Sequence, residues 1–285
     1  MTEAANAFRT RPISQHFEAN GLRLHFLDWG EEAPTQLLLL HGLSSNAHTW
    51  DDFAKEAHTS YRIVAADLRG HGESGHAADG YTLERFAADL KALARHLNAR
   101  RFHLMGASLG ALIAIYFASE NPRMVQKLVL EDGGPGLDMT AARQGAEARF
   151  RRPFGFDTPE EAQAWLRSAY PRDAEERVKA RFQYGMKQNW AGKWVLREDP
   201  DLFWVLGGYQ KAAEEMDGMG DRLKSLECPV LLVHGQESVL MSAEAAERIA
   251  GAAPHCEVAH IPGAGHSVHS DQPELFRQAV ARFLT

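Results

Sequence analysis

The sequence predicts an α/β fold in which a mostly parallel, doubly wound sheet carries an inserted helical cap. Three observations lead to it. Short apolar runs alternate with helical patterns, two extended segments joined by a tight turn precede them, and residues 136–224 interrupt the alternation. Strand alternating with helix implies parallel strands joined by crossovers and covered on both faces.

Gln15 to Ala19 and Leu22 to Trp29 flank Asn20-Gly21, a pair that turns a hairpin because both residues tolerate positive φ. Gln36 to Leu40 is an unbroken apolar run, the pattern of a strand buried on both faces. Tyr61 to Ala66, Arg101 to Met105, Val125 to Leu130, Pro229 to Val233 and Cys256 to Ile261 repeat it. Helical periodicity fills the gaps at Trp50 to Ala57, Leu83 to Leu97, Leu109 to Ser119, Ala243 to Ala250 and Pro273 to Phe283. The expected core is therefore residues 1–135 with 225–285, and the helical cap is 136–224.

From about Gly136 to Leu226 no strand pattern is expected, only amphipathic stretches separated by Pro153, Pro159, Pro171 and Pro200. Trp165, Trp190, Trp194 and Trp204 fall there, with Phe150, Phe154, Phe156, Phe182 and Phe203. A small cap needs aromatics for its own core, and the same rings can line an apolar substrate pocket. Fifteen basic residues balance fifteen acidic ones across 136–224, so the segment offers no net field to a charged ligand. Arg149, Arg151 and Arg152 can hold a carboxylate or form a solvated face.

With 285 residues, 45% of them hydrophobic, the chain can bury one large core. A formal charge of −7 gives no basic footprint for nucleic acid. No apolar stretch reaches the length of a membrane span, and Met1 to Pro12 lacks the apolar core of a signal peptide, so a cytoplasmic protein is expected. Cys228 and Cys256 read as buried thiols, too few for a disulfide framework. No metal is expected, because no Cys or His pair has a spacing that a helix or turn would converge.

Gly106-Ala107-Ser108-Leu109-Gly110 stands between a strand and a helix, the context of a nucleophile elbow. The glycines allow strand and helix to approach, and the helix start offers unpaired N–H groups where negative charge would develop. A serine hydroxyl needs a base, and the base needs a carboxylate. Ile261-Pro262-Gly263-Ala264-Gly265-His266 places His266 on a glycine-rich loop between the last strand and last helix, with His269 as the near alternative. Leu40-His41-Gly42-Leu43 ends the third strand, and the backbone N–H groups of Leu43 and Leu109 are the expected oxyanion hole. His41 and Gly42 shape that loop. Asp67 to Ser74 is read as a structural turn whose polar groups bond within the loop.

Together, His41-Gly42, the Asp-x-Arg-Gly-His-Gly stretch from Asp67, the elbow at Ser108 and the Gly-x-Gly-His ending at His266 resemble the α/β-hydrolase superfamily, in its order, over nearly the whole chain except the cap. A serine at the elbow resembles the esterase, lactonase and amidase branches, which implies acyl transfer without a cofactor. The acid departs from the commonest pattern. Family members usually read Gly-x-x-Asp after the seventh strand, where this chain has Gly235-Gln236-Glu237-Ser238. Some branches place the acid after the sixth strand, and here Glu131-Asp132-Gly133-Gly134 follows it, with Asp132 lying 132 − 108 = 24 residues beyond the serine. Asp132 is the expected acid. Glu131 should face the other way if the strand persists, and Glu237 is the fallback.

The resemblance thus implies a carboxylic ester hydrolase acting on a small to medium ester with an apolar portion. An acid in this place also resembles lactone hydrolases, an amidase of pyridine-ring catabolism and cofactor-free ring-cleaving dioxygenases, and a C–C bond hydrolase of a catabolic pathway is a further alternative on this scaffold. A ligand receptor on the same scaffold is the alternative from outside catalysis. Fold alone decides none of these.

Overall fold

A computed structural model describes residues 11–30, 36–138, 140–142, 144, 153–202 and 216–285. Strands β1 (Ile13–Ala19) and β2 (Leu22–Asp28) pair antiparallel around Asn20-Gly21, and Asn20 takes φ 51° to make the turn. Along the chain follow β3 (Gln36–Leu40), β4 (Arg62–Ala66), β5 (Phe102–Ala107), β6 (Val125–Glu131), a separate hairpin of β7 (Met186–Gln188) and β8 (Trp194–Leu196), then β9 (Val230–Gly235) and β10 (Cys256–Ile261). The main sheet runs β1-β2-β4-β3-β5-β6-β9-β10. From β4 onward every neighbour is parallel, and β2 meets β4 antiparallel.

Alternation along the central strands builds two cores. Leu38, Leu40, Leu104, Leu128, Leu130 and Leu232 face one layer, while Leu37, Leu39, Met105, Val129, Leu231 and Val233 face the other. The first layer is closed by α2 (Leu83–His96) and α3 (Leu109–Glu120), and the second by α1 (Asp51–Ala57). Three strands outrun their expected ends: β5 takes in Gly106 and Ala107, β6 Glu131, and β9 His234 and Gly235. Parallel pairing of Ala107 with Glu131, and of Glu131 with Val233, carries these residues past what their own propensity favours.

The segment between β6 and β9 contains α4 (Pro159–Ala169), α5 (Glu175–Gly185) and, nearer β9, α6 (Met219–Lys224). Thr158 starts α4 by accepting the Glu161 N–H, with Pro159 at the first helical position. The expectation of no strand here is corrected by the β7–β8 hairpin, extended by a bridge from Phe156 to Trp194. Phe156, Ala162, Leu166, Val178 and Met186 form its core, with Trp165, Phe182 and Trp194 against them. These four aromatics therefore build this segment's own interior, whereas Phe154 and Trp190 are exposed. Arg149, Phe150, Arg151, Arg152, Phe203 and Trp204 lie outside the described residues.

This segment contacts loops that follow the carboxyl ends of several strands. Tyr184 stacks on His48 at 3.5 Å between ring centroids, and Asp199 accepts a short hydrogen bond from the Tyr81 hydroxyl. Arg172 bonds Glu237 at 2.9 Å, Asp271 at 2.8 Å and the Gly263 carbonyl at 2.7 Å. One guanidinium thus joins the segment between β6 and β9 to the loops after β9 and β10. Among the described residues, no helix is long and apolar enough to cross a membrane.

Candidate active site

Ser108 sits between β5 and α3 at φ 52°, ψ −111°. Such a conformation costs a non-glycine residue about 1–3 kcal/mol, which the packed strand and helix on either side must offset. The packing leaves no room for a side chain at Gly106, where a Cβ would lie 2.2 Å from the Gly110 carbonyl oxygen. Gly42 passes over the serine, since a Cβ there would lie 3.3 Å from Ser108 Cβ. The Leu109 N–H has no intrahelical partner because it opens α3, and neither it nor the Leu43 N–H donates to a described residue. Two backbone donors are thereby left without a described partner, one in the residue after Ser108 and one in the residue after Gly42.

Pairing of β5 with β6 brings the acid alongside. The Ser108 N–H donates to the Glu131 carbonyl at 2.9 Å, and the next residue, Asp132, leaves the strand at φ 42°. Aspartate tolerates this left-handed region better than most side chains. Its carboxylate is fully buried and accepts the His266 Nδ1–H at 2.7 Å, the Ser238 hydroxyl at 2.5 Å and the Gly235 N–H at 3.2 Å. His266 Nε2 bonds no described residue, and its side chain is 27% exposed. Ser108 Oγ likewise bonds no described residue, including His266.

The neighbouring residues expected as alternatives are placed elsewhere. Glu131 turns to the opposite face of the sheet, where both its oxygens accept the His269 Nδ1–H, at 2.7 and 2.8 Å. His269 Nε2 accepts the Thr49 hydroxyl at 2.9 Å. Glu237 reaches Arg172 instead of an imidazole. The structure thus brings Asp132 and His266 together, and holds Glu131, His269 and Glu237 apart from them.

Around the site the polar loops are internally satisfied. His41 donates from Nδ1 to the Gly42 carbonyl at 2.7 Å and accepts the Leu68 N–H on Nε2 at 3.1 Å. Burial, reinforced by neighbouring His71, pushes its pKa down to about 3, so the ring is neutral and shapes the loop that bears Leu43. Asp67 accepts the Ala47 N–H at 2.6 Å, the Glu73 N–H at 2.8 Å and His25 Nδ1–H at 2.7 Å. Burial alone would raise the Asp67 pKa, but its bond and charge interaction with His25 hold it below the usual value. Arg69 is buried in a two-point contact with Asp89, at 2.6 and 2.8 Å. Burial pushes both Cys228 and Cys256 thiols up to about 11, which keeps them protonated and unreactive.

Comparison with known proteins gives the family and the fold. A family model described as alpha/beta hydrolase fold matches residues 35–273. The chain is 30% identical over 262 residues to esterase Rv0045c from Mycobacterium tuberculosis, covering 89% of this chain and 84% of that protein. It is 27% identical over 285 residues to 2-(acetamidomethylene)succinate hydrolase from Mesorhizobium japonicum, covering 100% and 99% of the two chains. A crystal structure of E-2-(acetamidomethylene)succinate hydrolase has the same fold, with a TM-score of 0.86 over 96% of this chain and 99% of that one, at 24% identity.

Proposed function

The chain belongs to the alpha/beta hydrolase fold family, and from that premise we propose that it is a serine hydrolase cleaving a small to medium carboxylic ester with an apolar portion. One observation carries this reading. The Asp132–His266 pair at 2.7 Å, with Nε2 open, lies next to a serine held at φ 52° on the adjoining strand end.

In this reading Ser108 Oγ attacks the ester carbonyl carbon while His266 Nε2 takes the hydroxyl proton. The hydroxyl must turn onto the ring for this, and hydrogen bonds of this kind commonly close only with substrate in place. The carbonyl π pair moves to oxygen, and the Leu43 and Leu109 N–H groups meet the charge; one such donor is worth about 10²–10³ in rate. Collapse expels the alcohol, which receives the proton from His266, and leaves an acyl-serine. Water, deprotonated by the same nitrogen, then releases the acid. Asp132 fixes the tautomer and stabilises the imidazolium. No step calls on a cofactor. The cap segment that Arg172 ties over the cleft supports a partly enclosed substrate.

Full-length similarity to 2-(acetamidomethylene)succinate hydrolase supports a second reading, in which the same serine opens an amide of a catabolic intermediate. A panel of p-nitrophenyl esters from acetate to long-chain acyl, run beside lactones and amides, separates the two. Ester turnover that falls by roughly 10⁴-fold or more in Ser108→Ala supports the proposal. Near-normal turnover in that variant would defeat it, and hydrolysis confined to amides would replace it with the second reading.

A further inference from the structure

Antiparallel pairing of β1 with β2 sets His16 directly opposite His25, so both side chains leave the same face of the hairpin. Their ring centroids are 4.8 Å apart. Glu73 comes from the loop after β4, and its Oε2 lies 3.7 Å from His16 Nε2. Donor atoms of the three residues all fall within 4.8 Å of one another, and no other such trio of His, Cys, Asp or Glu occurs among the described residues.

Asp67 gives this cluster a built support. It is buried, as is His25, and accepts the His25 Nδ1–H at 2.7 Å. That bond leaves His25 Nε2 as the nitrogen with a lone pair to offer, and in this structure it accepts the Ser14 hydroxyl at 2.9 Å. A carboxylate behind the distal nitrogen is how metal-ligating imidazoles are oriented and made more basic. Asp67 is itself fixed by the Ala47 and Glu73 N–H groups.

We propose that His16, His25 and Glu73 form a binding site for a divalent transition-metal ion, made from residues that take no part in the proposed hydrolysis. Two imidazoles and one carboxylate are a donor set that Zn²⁺ accepts with a fourth position left to water, whereas Ca²⁺ and Mg²⁺ favour oxygen alone. Tetrahedral ligands at about 2.0–2.1 Å from the ion stand roughly 3.4 Å apart, so the cluster must draw in slightly. The side chains of His16 and Glu73, 22% and 46% exposed, can make that adjustment around the fixed His25. Arg23 adds one positive charge nearby, which acts on His16 more strongly than either Glu73 or Asp67 alone, against the two carboxylates that those residues bring to the cluster. The bound ion would staple the opening hairpin to the loop after β4 and stabilise the folded chain by mass action.

Isothermal calorimetry with Zn²⁺ chloride on the full chain, with Tm followed in parallel, tests the site. One ion per chain with a Kd of about 10 µM or tighter and a rise in Tm is the expected result. His16→Ala and Glu73→Gln, both at surface-accessible positions, should each weaken binding by about tenfold or more. Absence of saturable binding up to about 1 mM overturns the proposal. So does unchanged affinity in both variants, or loss of binding only in His266→Ala, which would put the ion on the other carboxylate–imidazole pair.

Discussion

Two carboxylate–imidazole pairs lie back to back at the end of β6, built from consecutive acids and from histidines three residues apart. Asp132–His266 and Glu131–His269 share the same 2.7 Å contact, and both carboxylates are fully buried. They differ in the second ring nitrogen. That of His266 is open on a side chain 27% exposed, whereas that of His269 is taken by Thr49 on a side chain 7% exposed. His269 also packs against Trp50, with ring centroids 4.6 Å apart. A carboxylate partner is therefore no mark of a general base by itself; the open, partly exposed nitrogen separates the pair proposed for chemistry from the one that is tied up within the fold.

The sharpest way to break this contrast is to neutralise each acid in turn. Asp132→Asn should lower kcat on the best ester by about 10⁴-fold, because the amide favours the wrong imidazole tautomer. Glu131→Gln should leave kcat within about tenfold. Steady-state kinetics of the two variants decides the matter, and a large loss in Glu131→Gln with a small one in Asp132→Asn would reverse the assignment. Stability should respond the other way. His269→Ala strands a buried carboxylate, which costs about 3–5 kcal/mol, and urea unfolding will read that loss. A His269→Ala protein as stable as the parent would show that the Glu131–His269 pair does not hold the fold together.

Much of this was legible in the sequence, and the gaps have physical causes. Leu37 to Leu40 could be read as a strand because its neighbours bury both faces. Gly106, Ala107 and Gly235 could not, since pairing with adjacent strands, absent from local pattern, carries them into the sheet. The β7–β8 hairpin is three residues a side, too short for periodicity to register. Ser108 and His266 stood out by motif, whereas Asp132 was reached only through a resemblance, and the turn at φ 42° that aims it is invisible in the chain. The aromatics of the cap were ambiguous because composition does not tell an element's inner face from a ligand wall. His16 and His25 carried an overlooked signal: they are equidistant from the Asn20-Gly21 turn, and hairpin register makes such positions face each other.

A third kind of histidine extends the comparison to acid. His41 has no carboxylate on either nitrogen, and burial holds its pKa at about 3 against an ordinary 6.5. Between these values only the unfolded chain takes up the proton. The stability His41 contributes is therefore complete above pH 6.5 and is lost as pH falls toward 3, by about 1.4 kcal/mol per unit. Tm measured from pH 7 down to about 5 should fall less steeply in His41→Gln, which keeps a donor and an acceptor without titrating. Parallel curves for the two proteins would show that His41 is not the group that takes the proton.

The smallest effect concerns Ser238, which stands where the resembled family commonly carries its acid. Its hydroxyl donates to Asp132 Oδ2 at 2.5 Å and accepts the Leu240 and Met241 N–H groups at 3.2 Å. The hydroxyl at this position thus holds the carboxylate of Asp132, the residue that follows β6. Ser238→Ala should lower kcat by about tenfold at most, since the Gly235 N–H and the His266 Nδ1–H still hold the Asp132 carboxylate in place. Ser238→Asp in the parent should harm turnover more, by setting two carboxylates against each other. Combined with Asp132→Asn, the same change should recover part of the lost kcat, because His266 would again face one buried carboxylate. A double variant no better than Asp132→Asn would show that only the end of β6 can aim an acid at His266 in this protein.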